Sequence, residues 1–92
     1  MVEVKTYCFG MAADELYAKI ATGESDILME IVKGRKEFVG VHPTKDGMRY
    51  LFLFLTPQSR DEAYIDAMGL FSTMEVIFEP AFVNAEHLKG GC

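Results

Sequence analysis

Met48-Arg49-Tyr50-Leu51-Phe52-Leu53-Phe54-Leu55-Thr56 is the most apolar segment of the 92-residue chain. It alternates with a period of two, as a strand does: Leu51, Leu53 and Leu55 point one way, and Tyr50, Phe52 and Phe54 the other. A strand apolar on both faces belongs in the interior of a sheet, where neither side meets water. This segment is therefore read as a central strand, and the rest of the chain is fitted around it.

Upstream, Pro43-Thr44-Lys45-Asp46-Gly47 combines a proline with an Asp-Gly pair and reads as a hairpin turn. Lys36 to His42 supplies the preceding strand. Ser25 to Lys33 is open to two readings. As a helix it gathers Ile27, Leu28, Ile31 and Val32 on one face, with Ser25 capping the start and Gly34 the end. As a strand it has suitable β-branched residues but broken alternation, so helix is preferred. A helix from about Ala12 places Ala13, Leu16, Tyr17 and Ile20 together and stops at Gly23. Val2 to Phe9 alternates again and forms the first strand.

Downstream, Thr56-Pro57 opens a helix. Ser59 and Glu62 stand at capping-box spacing, and Ala63, Tyr64, Ala67, Met68 and Phe71 form the inward face. Thr73 to Glu79 is the last strand, ended by Pro80, and Asn84 is placed to cap a short turn before Gly90. The order β-α-β-β-α-β, with the first helix broken near Gly23, predicts one α+β domain over residues 1–92. It is a ferredoxin-like plait: a four-stranded antiparallel sheet with helices on one face and strands one and three at its centre. Such a fold is reused for many tasks and specifies none.

Composition narrows the task. Cys8 and Cys92 are too few to staple a secreted domain and suit a reducing compartment. The N-terminal residues do not form a signal peptide, and no apolar run approaches the roughly 20 residues that cross a bilayer. The expectation is a cytoplasmic protein with no membrane association. Fourteen acids against nine bases give a net charge of −5, a balance that disfavours direct nucleic-acid binding. Arg49 to Phe54 offers aromatics on a strand, as single-stranded RNA platforms do. The glycine expected after the basic residue is absent, and Leu55 stands where the last aromatic would fall.

Two features carry functional expectations. If the aliphatic strand faces pack under the helices, Tyr7, Phe9, Phe38, Tyr50, Phe52 and Phe54 share the other side. They would then form an exposed contact face suited to homodimerisation, unless the segment around Phe82 and Leu88 covers it. The second feature is acidic. Residues 12–33 hold Asp14, Glu15, Glu24, Asp26 and Glu30 against Lys19 and Lys33; residues 58–71 hold Asp61, Glu62 and Asp66 against Arg60. The helical layer thus carries the whole charge excess and suits a protein partner with a basic surface. The ordinary role of such charge is to keep a face solvated.

The leading expectation is a non-catalytic interaction module, such as an inhibitor occupying the basic nucleic-acid site of a larger enzyme, as phage-type anti-defence proteins do. The alternative is a dimeric α+β barrel enzyme or small-ligand binder with a pocket near His42 and Tyr50. No cofactor is expected. His42 and His87 have no second histidine or cysteine at ligand spacing, so no metal site is expected either. Cys92, on its Gly-Gly tail, is expected to be exposed and oxidisable.

Overall fold

The computed structural model describes residues 2–87. Strand β1 (Glu3–Ala12) leads into helices α1 (Ala13–Thr22) and α2 (Ser25–Lys33). Strands β2 (Phe38–Pro43) and β3 (Arg49–Phe54) follow, then α3 (Pro57–Ala67) and β4 (Glu75–Asn84). One 3₁₀ turn, Met68–Leu70, extends α3, and another, Ala85–His87, follows β4. The sheet order is β2-β3-β1-β4 with every neighbouring pair antiparallel, so strands one and three are central as expected.

The helical reading of residues 25–33 holds. Gly23 adopts φ 82°, a left-handed conformation that glycine accepts without strain, and its N–H closes α1 onto the Ile20 carbonyl. Ser25 is not the cap of α2 but its first residue, and it is buried. In α3 the cap is Thr56, whose hydroxyl accepts the Ser59 N–H at 3.2 Å, with Pro57 in the first turn; Ser59 is not the cap. Met68, expected on the inward face, is half exposed. Strand β4 continues through Pro80 to Asn84. It does so at a bulge, where Cys8 faces Ile77 but Thr6 faces Ala81, on an outer edge where a missing N–H costs little. Asn84 caps the following turn, its Oδ1 accepting the Glu86 N–H at 3.0 Å.

The central correction concerns which sheet face lies under the helices. Phe9, Phe38, Phe52 and Phe54 are buried with Met11, Leu16, Leu28, Val32, Ala63, Ala67 and Phe71 in the main core. The aromatic side is the helix side. Volume explains the choice, since α3 turns the small Ala63 and Ala67 into the core, and rings from the sheet fill the space they leave. The rings pack in offset fashion, with Phe9 stacked on Phe52 (centroids 5.0 Å, 13°) and on Phe54 (5.7 Å).

The opposite face is aliphatic: Cys8, Val39 and Leu53 are buried there, packed by Leu51, Ile77, Ala81 and Val83. Arg49 crosses this face from β3 to Glu75 of β4 (3.0 Å). It passes so close over Gly10 that a Cβ there would lie 3.3 Å from its Nε. Arg60, buried in α3, donates to the Ile77 carbonyl at 3.1 Å, just before the bulge. That bond satisfies an acceptor where the ladder is interrupted.

Candidate interaction surface

The expected aromatic contact face does not exist as a surface. Phe9, Phe52 and Phe54 are fully buried and Phe38 is 6% exposed. Tyr7 and Tyr50 are half-buried at the margins of the same face. Tyr7 lies beneath Lys5, whose Nζ is 5.7 Å from the ring centroid. Tyr50 shares a 2.7 Å hydroxyl–hydroxyl bond with Tyr17, which raises the Tyr17 pKa. Phe82 belongs to β4 opposite Lys5 and is 60% exposed, so it does not cover a sheet face; Leu88 and Cys92 lie outside the described residues.

His42 and Tyr50 do not converge. In the β2–β3 register His42 faces Leu51 and Pro43 faces Tyr50, so the two side chains leave opposite sides of the sheet. The pocket expected between them has no geometric basis. Among the described residues no group of three or more His, Cys, Asp or Glu is disposed to hold a metal ion. No helix among them is long and apolar enough to cross a membrane. The Cys8 thiol is buried, and desolvation raises its pKa against the opposing influence of Arg60.

The acidic residues separate into two groups once their partners are known. On α3, Glu62 receives Arg35 Nη1 at 2.9 Å, Asp66 receives Arg35 Nη2, and Asp61 receives Arg60 Nε at 2.6 Å. Three carboxylates thus face two guanidinium groups. Arg35 sits in the α2–β2 connection, distant in sequence from α3, and no sequence spacing announces the pairing.

On the first two helices, Glu24 pairs with Lys19 at 3.0 Å, and that contact, followed by the Thr22 hydroxyl, lowers its pKa. Glu15 is a structural anchor. Its carboxylate accepts the Ser72 N–H and hydroxyl and the Thr73 N–H, each at 2.9 Å, together with the Thr73 hydroxyl. Partial desolvation pushes its pKa up, but these bonds outweigh it and hold the group at about 2. Glu15 thereby ties the start of α1 to the connection between α3 and β4, and the same Thr73 hydroxyl accepts the Ala12 N–H at 3.1 Å.

Asp14, Asp26 and Glu30 remain. All three are exposed, and among the described residues none makes an ion pair or side-chain hydrogen bond. Asp26 and Glu30 stand one turn apart on α2, where with Met29 and Lys33 they line a shallow depression. The same two helices expose Tyr17 (54%), Ile20 (55%) and Ile27 (50%), side chains that helical periodicity had grouped on one face with the buried Leu16 and Leu28. The broken α1–α2 unit has more apolar residues than its contact with the sheet can cover, and part of its hydrophobic surface turns outward. No protein-family model, curated protein or solved structure matches the chain.

Proposed function

We propose that this chain is a small non-catalytic interaction module of the cytoplasm. In this reading the outward surface of α1 and α2 docks on a basic protein surface, of the kind a larger enzyme presents to nucleic acid, and so inhibits that enzyme. The fold that carries it is read as a ferredoxin-like plait, a reading supported by the β2-β3-β1-β4 order and its antiparallel pairs. The observation that carries the proposal is the coincidence of unpaired acids with exposed apolar side chains. Among the described residues Asp14, Asp26 and Glu30 have no partner, and Tyr17, Ile20 and Ile27 stand half exposed on the same helices. Charge of one sign speeds encounter with a basic partner, and apolar side chains supply the area that holds the complex.

Relative to the eight acids weighed on sequence grounds, the surface contracts. Glu15 is committed to the fold, Glu24 to Lys19, and the α3 set of Asp61, Glu62 and Asp66 to Arg35 and Arg60. Homodimerisation through the aromatic sheet face drops out, because that face is core.

The test is affinity capture from a native lysate with the wild-type chain and two charge-reversed variants. The expected result is a retained protein with a basic surface, lost with Asp26→Lys/Glu30→Lys and kept with Asp61→Lys. Retention unaffected by the α2 substitutions would refute the assignment of this surface.

A further inference from the structure

Strand β1 is longer than its neighbour on one side. Residues 7–12 pair with β3, whereas among the described residues Glu3 to Thr6 pair only with β4, so a two-stranded ribbon projects past the end of β3. The direction of the free main-chain groups follows from the ladder. The Ala13 N–H bonds the Met48 carbonyl, so odd-numbered β1 residues turn their N–H and C=O toward the β3 side; the Val2 carbonyl takes the Ala85 N–H, so even-numbered residues turn toward β4. At Glu3 and Lys5 the β3 side holds no strand among the described residues. Thr56, next in line there, spends its carbonyl on the Arg60 N–H at the start of α3.

The other open edges of the sheet are blunted. Strand β4 carries Pro80 and the bulge opposite Thr6 and Cys8; β2 ends on Pro43 and has its own irregularity between Phe38 and Gly40. Proline and bulges are the usual means of refusing an extra strand. The β1 edge has neither.

We infer that a second copy of this chain pairs with this edge, β1 against β1, antiparallel about a two-fold axis at Val4. This register is self-complementary. Glu3 stands opposite Lys5 of the other copy and Lys5 opposite its Glu3, both being positions whose main-chain groups face the shared edge. Val4 meets its own counterpart across the axis on the aliphatic face, at the closer, non-hydrogen-bonded spacing. A lone lysine could serve only to repel an added strand, but glutamate two residues away turns that lysine into half of an opposite-sign pair. The association is small in area and therefore weak and concentration-dependent. It is independent of the docking surface on α1 and α2.

A charge-swap cycle read by sedimentation velocity at low salt tests it. The wild-type chain should show a mass rising with concentration toward twice the monomer. Glu3→Lys and Lys5→Glu each set like charges across the axis twice and should weaken association by about tenfold. The double variant Glu3→Lys/Lys5→Glu restores opposite pairs and should dimerise again. Both residues are exposed, and circular dichroism of each variant checks that it folds. A wild-type chain that stays monomeric at its highest soluble concentration overturns the inference. So do single variants that dimerise as wild type does, or a double variant that fails to recover.

Discussion

The α1–α2 pair and α3 look alike in sequence, each rich in acids, yet they hold their charge differently. On α3 the three carboxylates are met by the two guanidinium groups of Arg35 and Arg60, so most of their charge is paired. Along α1, α2 and their junction, two acids serve internal contacts, and three have no partner among the described residues and stand beside exposed apolar side chains. Counting acids along a chain therefore overstates the charge available to a partner. The usable charge is what the fold leaves unpaired.

Glu15 is the sharpest exception on the α1 side, and removing it should have the largest effect. Glu15→Ala leaves the Ser72 and Thr73 donors without their acceptor and should cost about 1–2 kcal/mol in urea unfolding, the range for lost hydrogen bonds to a charged group at a partly exposed site. Its pH dependence has a definite sign. The carboxyl is held at about 2, against an ordinary value of 4.5, so its stabilisation is complete above roughly pH 4.5. It fades as pH falls toward 2, and wild type and Glu15→Ala should converge there. A stability gap unchanged down to pH 2 would show that the anchor is not electrostatic.

Partner binding should weaken several-fold between 50 and 200 mM salt, a range over which the screening length falls from about 14 Å to about 7 Å. Glu62→Gln with Asp66→Asn should move the partner affinity less than about twofold and stability by under about 1 kcal/mol, as exposed pairs do. A loss of binding as large as that from Asp26→Lys/Glu30→Lys would erase the distinction between the helices.

Much of the architecture was legible in the sequence. The period-two run at residues 50–55 located a central strand, Asp46-Gly47 marked the hairpin, and Gly23 and Gly34 bracketed α2. The inward side of the sheet was not legible. Leu51, Leu53 and Leu55 alternate as cleanly as Tyr50, Phe52 and Phe54, and strand periodicity says only that the two sets oppose each other. The decision lay in α3, whose small Ala63 and Ala67 make room for rings, and that fit exists only after the elements dock. The Arg35–Glu62 and Glu15–Thr73 contacts escaped for the same reason, since both join segments distant in the chain. Pro80 misled locally: it ends a central strand but is tolerated on an edge.

The most direct test of the docking surface is a ¹⁵N–¹H chemical-shift map of the labelled chain titrated with the purified protein retained from lysate. The account predicts perturbations grouped on Asp14, Tyr17, Ile20, Asp26, Ile27 and Glu30, with α3 and the aliphatic sheet face unmoved. Perturbations centred on Asp61, Glu62 and Asp66, or on Leu51, Ile77 and Val83, would contradict it.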